Sequence, residues 1–296
     1  MSGQYISELD DRAVVRVAGA DARTFLHNLL TADLERLVDG EARYGALLTP
    51  QGKVLVDGFV MPQQDGFLID VPRASAPEFL KRLQVYKLRA KAEISDVTGD
   101  YRVYAIWGTE AAPMLPGVVV RDPRLAALGF RALVPRATTV AGAHVSGYTR
   151  TGPAAYHAHR IANGIPESGR DFALGDTFPH DADMDQLSGV DFAKGCYVGQ
   201  EVVSRMHHRG TARRRIVMVR GAETLPPPGA QIIAGDRPIG TLGSTAGQTG
   251  LALVRLDRAK AAMDAGQTIS ADGHPITLSL PDWAGFGWPE VQPSSA

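Results

Sequence analysis

From Arg213 onward the chain is cut into short β-prone pieces. "RRIVMVRG", "LPPPGAQIIAGDRPIGTLGSTAG", "LALVRLDR" and "TISADGHPITLSLP" follow one another, separated by glycine, proline and Asp-Gly turn signals. A strand of that length cannot bury a face alone, so a run of such strands closes into a small barrel or sandwich. The expected limits of this all-β domain are 211–285, and the last stretch, "WAGFGWPEVQPSSA" from Trp283, runs into a loosely held tail over 286–296.

Upstream the pattern is mixed. "RAVVRVAG" reads as a strand ending at glycine, and "DARTFLHNLLTADLERL" as a helix capped by Asp21, with Phe25, Leu26, Leu29 and Leu30 on one face. "ARYGALLTP", "KVLVDGFVMP" and "FLIDVP" form a meander. "SAPEFLKRLQVYKL" opens with Ser75 and Glu78 at capping-box spacing and carries Phe79, Leu80, Leu83 and Tyr86 on its apolar face. More strands follow, then a helix, "GPAAYHAHRIANG", that stops at Gly164. The expected class is α+β with a C-terminal β-domain.

Charge and composition remove several functions. With a net charge of −1 the molecule is not built to coat nucleic acid or an acidic membrane. A single cysteine closes no intrachain disulfide. The start, "MSGQYISELDDRAVV", has neither a basic nor an apolar segment of the signal-peptide kind. The longest uncharged run, Pro238 to Val254, is broken by four glycines and spans no membrane. The expected compartment is the cytoplasm.

Two charged segments need weighing. "DADMD" (Asp181–Asp185) imitates the start of a calcium loop, but Gln186 stands where glycine is needed and Phe192 where glutamate is needed. It reads as a solvated acidic loop. "RMHHRGTARRR" holds five arginines and two histidines without an acid or an interleaved aromatic. An anion pocket, or a salt-bridged junction with the acidic stretch before it, is the expectation, and nucleic acid is not an expected partner. No G-x-G-x-x-G after a strand, P-loop, G-x-S-x-G or H-E-x-x-H occurs.

"KGCYVGQEVVSRMHHRG" (Lys194–Gly210) contains the one cysteine, Cys196. Val198, Val202 and Met206 recur every four residues, and Glu201 and Arg205 make a helical i,i+4 pair. Cys196 is then expected at a helix N-terminus, where the macrodipole favours a thiolate. Lys194 adds charge, and Gly195 and Gly199 leave room for a ligand. The bland alternative is a small buried hydrophobe.

The segment resembles the K-G-C-[FY]-x-G-Q-E signature of the YgfZ-type folate-binding proteins, relatives of the glycine-cleavage T-protein that act in iron–sulfur cluster maturation. "GADARTFLHNLLTADL", "YGALLTPQGKVLVD", "YKLRAKAEISDV" and "RIANGIPESGRD" extend the resemblance over nearly the whole chain. It implies a three-lobed ring: two α+β folate-binding lobes, expected over 1–45 with 140–210 and over 46–139, plus the C-terminal barrel. It also implies a bound tetrahydrofolate or derivative and a transient, shared iron–sulfur cluster. The implied partners are an A-type iron–sulfur carrier and iron–sulfur client enzymes.

Carried over by motif, Cys196 is the working group and a shared cluster ligand, with Lys194 beside it. Tyr197, Gln200, Glu201, Arg205 and Arg209 belong to the signature and its extension. Asp171 falls where T-proteins place an acid near their pterin, and Glu167 lies close by. A pterin edge wants a carboxylate and a glutamate tail wants arginine. T-proteins typically read "GGILDD" where this chain reads "GKVLVD", so Val56 replaces one aspartate and Asp57 remains. That departure, with the added cysteine, favours the maturation branch over the alternative, a folate-dependent aminomethyl or one-carbon transferase.

Overall fold

A computed structural model describes residues 3–138, 140, 145–210 and 212–289; residues 290–296 of the expected tail lie outside them. The chain divides into two units, one from segments 1–156 and 187–202 and the other from 157–186 and 203–296.

The strands of the first unit are β1 (Gln4–Glu8), β2 (Arg12–Ala18), β3 (Arg43–Leu48), β4 (Val54–Gln63), β5 (Gly66–Pro72), β6 (Glu93–Asp96), β7 (Tyr101–Trp107), β8 (Val118–Arg121), β9 (Phe130–Pro135) and β10 (Tyr148–Thr151). Helices α1 (Ala22–His27) and α2 (Ala76–Lys87) lie between them in sequence. One sheet runs β3-β4-β5-β2-β6 and the other β10-β1-β7-β9-β8. In the first sheet β2 lies between β5 and β6 and is buried along nearly its whole length, which suits its run of valines. Phe25 and Leu26 of α1 and Phe79 and Leu83 of α2 join Val15, Val17, Ile69 and Val71 in its core.

A buried polar layer ties the two sheets of this unit together. Asp70 on β5 has no exposure and binds Arg12 of β2 at 2.6 Å and Arg131 of β9 at 2.9 Å. Asp122 takes Arg124 through both oxygens, and the Phe59 ring lies under the guanidinium carbons of Arg131, Arg124 and Arg12 at 4.2, 4.8 and 5.7 Å. Each of these three arginines has a paired carboxylate, the condition for tolerating such a layer.

Pairing cuts the chain elsewhere than at the expected lobe boundaries. β1 and β2 are neighbours in sequence but enter different sheets, and β1 pairs with β7 and, in parallel, with β10. The helix expected over 21–37 is α1 alone, because the chain turns at Asn28 and Leu30 bridges to Leu47. Neither expected cap forms. Asp21 accepts the Lys91 N–H instead, and Glu78 pairs with Arg82.

In the second unit, β11 (Arg214–Gly221), β12 (Gln231–Ala234), β13 (Arg237–Ala246), β14 (Thr249–Arg255), β15 (Ile269–Ala271) and β16 (His274–Ser279) close a barrel in the order β11-β14-β13-β12-β15-β16. Val217, Val219, Ile232, Leu242 and Val254 fill it, with residues of the helix Leu256–Asp264 packed on them. The helices Pro153–Ala162 (α3) and Gln200–Arg209 (α4) precede the barrel, making Leu256–Asp264 α5. Gly164 ends α3 at φ +72°, as read from the sequence. The α+β class with a closed C-terminal β-barrel stands. Among the described residues no helix is long and apolar enough to cross a membrane.

Candidate functional site

Cys196 is exposed on a loop, so the packing reading of the lone cysteine falls away. Helix α4 begins at Gln200, four residues past the sulfur, and its macrodipole fades beyond the first turn. The expected helix N-terminus at Cys196 is therefore corrected to a pinned loop. Asp191 Oδ1 accepts the backbone N–H groups of Ala193 (2.8 Å) and Lys194 (3.0 Å), an Asx turn. The Asp191 N–H in turn donates to the Thr31 carbonyl at 2.9 Å.

Lys194 is buried. Its Nζ donates to the carbonyls of His27 and Leu30, the latter at 2.5 Å, and lies 5.0 Å from the Tyr197 ring centre. Burial lowers its pKa to about 8, against the pull of Asp33 and Asp191. Tyr197 is buried too, its pKa raised to about 12 by burial, and its hydroxyl has no partner among the described residues. Gly195 is open on its Cβ side, as expected. Gly199 is not: φ is +80° and a Cβ there would meet the Thr49 carbonyl oxygen at 2.5 Å, so it clamps the loop to the Thr49–Gly52 turn instead of admitting a ligand.

Asp57 on β4 accepts from the Tyr44 hydroxyl at 2.8 Å through Oδ2, while Oδ1 is buried with no partner among the described residues. Burial, then Asp57, raises the Tyr44 pKa well above its ordinary value, so the phenol stays the donor. Beside them is a void of about 10 Å³, room for one water, lined by Gly45, Gly58 and Phe79. Val56, the neighbouring departure from the T-protein pattern, is 1% exposed in the apolar core.

The acids expected at a pterin are committed elsewhere. Asp171 Oδ2 takes Arg160 Nη1 at 2.8 Å and the Glu167 N–H at 2.9 Å, and Oδ1 takes the Ser244 N–H at 2.7 Å. Glu167 sits against Arg170 at 3.0 Å and His157 at 3.3 Å. The carboxylate of Asp171 thus binds its loop to β13, a structural role in place of the expected pterin contact. Arg160, 1% exposed, organises this knot, and its mid-helix position carried no signal of it.

The 181–185 segment is not the solvated loop expected. Asp181 pairs with Arg214, and Asp183 and Asp185 with Arg215, the salt-bridged junction that the arginine cluster suggested. Among the described residues no group of three His, Cys, Asp or Glu could hold a metal ion. Of the remaining signature residues on α4, Gln200 is half-buried and Glu201, Arg205 and Arg209 are exposed.

Residues 6–159 match the GCVT N-terminal domain model and residues 213–286 the CAF17 C-terminal β-barrel model. The solved aminomethyltransferase T of the Bartonella henselae glycine cleavage system shares the fold, with a TM-score of 0.73 over 94% of this chain and 85% of that one, at 17% identity. These define an aminomethyltransferase-fold protein with a CAF17-type barrel. The mitochondrial iron–sulfur cluster assembly factor IBA57 of Homo sapiens is 31% identical over 314 residues, covering 96% of this chain and 85% of the human one. Its Mycosarcoma maydis homologue is 29% identical over 352 residues, covering 97% and 86%. The chain belongs to this IBA57 family of iron–sulfur cluster assembly factors.

Proposed function

We propose that this protein binds a tetrahydrofolate and assists assembly or repair of iron–sulfur clusters in client proteins through Cys196, as the YgfZ-type branch does. The observation that carries the reading is an exposed thiol on a loop pinned at both ends, by Asp191 before it and by Gly199 after it. A 4Fe–4S cluster is held by four thiolates. Cys196 supplies one, and an A-type carrier, a client enzyme or a small thiol brings the others. Lys194 holds the loop from beneath.

Of the acids expected at a pterin, Asp57 keeps one buried carboxylate oxygen without a donor among the described residues, which a pterin N–H would satisfy. The void beside it has room for one water, so its walls would have to part for the ring to reach it. Arg205 and Arg209, expected to meet a glutamate tail, are exposed on α4. Bound folate would supply one-carbon chemistry. The retained Asp57 is also what favours the transferase alternative, and Val56 in an apolar core weighs against it. The relatives are named as mitochondrial. For this chain we read the cytoplasm, to be checked by fractionation.

The test is anaerobic mixing with a cluster-loaded A-type carrier. A visible cluster chromophore shared by the two proteins, lost with Cys196→Ala, is expected. An equal signal with Cys196→Ala sinks the cysteine role, and calorimetry with tetrahydrofolate tests the folate separately.

A further inference from the structure

The second unit contains a cavity of about 410 Å³ that none of the roles above uses. Ligand pockets run from about 300 to 1,000 Å³, so this one suits a small organic molecule. Its walls are of two kinds. Met206 of α4, Leu256 of α5, Phe286 and Pro289 are its apolar lining. The Phe286 ring is held in place by the buried Arg215, whose guanidinium carbon lies 4.5 Å from the ring centre. The lining also includes the His180 and His207 rings, 6.1 Å apart and inclined by 35°. Burial first, then Arg215 and His207, hold His180 below its ordinary pKa, leaving a neutral imidazole near pH 7.

The charges around the cavity are mostly spent. Asp185 is bound by Arg215 at 2.5 and 2.9 Å, and Asp257 by Arg255 at 3.0 and 2.7 Å. Arg213 lines the cavity, is exposed, and has no carboxylate partner among the described residues. One uncommitted guanidinium matches one negative charge, and a polyphosphate would ask for more. Flat walls of Phe286 and imidazole match a ring. We propose that this cavity binds a planar aromatic monoanion, its ring against Phe286 and the imidazoles and its charge on Arg213.

The probe is 8-anilinonaphthalene-1-sulfonate, with N-phenyl-1-naphthylamine as its uncharged counterpart, titrated into the full-length native chain. Saturable fluorescence at one sulfonated dye per chain is expected. Arg213→Ala should weaken that dye about tenfold, the loss of a charge-assisted contact, and leave the uncharged dye within about twofold. Gly287→Trp should weaken both, since a Cβ there meets no atom within 4 Å and the indole takes space at the cavity wall. If that variant does not fold, Arg213→Ala alone decides. The absence of saturable native-state binding overturns the proposal. So does an equal response of the two dyes to Arg213→Ala. Excess tetrahydrofolate separates two sources of such a ligand: displacement assigns the cavity to the benzoyl ring and one glutamate carboxylate of a folate, and no displacement to a separate aromatic acid.

Discussion

Asp171→Asn distinguishes a structural carboxylate from a ligand-binding one. The side chain has no exposure and accepts three hydrogen bonds, from Arg160 (2.8 Å), the Glu167 N–H (2.9 Å) and the Ser244 N–H (2.7 Å). Strand β13 closes directly on it, since a Cβ at Gly243 would meet Oδ1 at 2.5 Å. Asparagine keeps the shape but turns one oxygen into an NH₂ group. Placed at Oδ1 it faces the Ser244 N–H; placed at Oδ2 it faces Arg160 and the Glu167 N–H. Either way a donor meets a donor, and the buried guanidinium of Arg160 loses its nearest anion.

Removing one partner of a buried pair costs about 3–5 kcal/mol. Glu167 at 3.4 Å and the Ser244 hydroxyl at 2.6 Å still serve Arg160, which places the expected loss near the lower end, about 3 kcal/mol. Two units make a single two-state transition a poor description, so the readout should be local. Trp283 provides it: its Nε1 donates to the Asn163 carbonyl at 2.8 Å, at the end of the helix that carries Arg160. With Trp107 and Trp288 replaced by phenylalanine, urea unfolding followed by fluorescence should show the Trp283 transition at lower urea in Asp171→Asn. Tetrahydrofolate affinity, measured by calorimetry below the transition, should stay within about twofold of the parent. An unshifted transition with a tenfold weaker folate would refute the structural assignment and return Asp171 to the pterin.

Three further outcomes follow from the geometry. Cys196→Ser alters an exposed loop side chain, so stability should hold within about 0.5 kcal/mol while client maturation is lost; unfolding curves and a client-enzyme activity assay check the two halves. Lys194 sits at about 8 against an ordinary 10.5, and between those values the unfolded chain keeps a proton that the folded chain has released. Stability should therefore rise as pH climbs from about 8 to about 10.5, and Lys194→Met should lack that rise in urea midpoints taken across the window. Val56→Asp, which restores the T-protein pair, puts a carboxylate among apolar side chains; it should cost several kcal/mol in chemical denaturation and yield no aminomethyl transfer.

What was legible in the sequence was what local pattern encodes. The barrel strands announced themselves by turn residues and the access to the thiol by Gly195, whereas the spacing put Cys196 on a helix end that lies four residues further on. What stayed hidden were partners far apart in the chain. The charge run at 181–185 displays acid but not burial, and the arginines that neutralise it stand about thirty residues later. Nothing in "RVAG" or "ISELDD" tells that β1 and β2 part into different sheets, because that choice is made by β7, β10 and β5.

The motif itself illustrates the same limit. "KGC" suggests a lysine activating a neighbouring thiol, since adjacency is all that a sequence offers. In the fold that lysine is buried and its ammonium is bound by carbonyls of residues 27 and 30, more than 160 positions earlier. An ammonium can occupy a site of that kind only if carbonyl oxygens replace its water, and two of them come from the end of α1 and the turn after it. The position of Cys196 is consequently set by the first thirty residues as much as by its own loop. Changes at His27 that shift this backbone should thus move the thiol without touching it. Cluster transfer should then slow in such variants even where alkylation shows Cys196 still free to react, a combination that a lysine acting only by its charge on the sulfur would not produce.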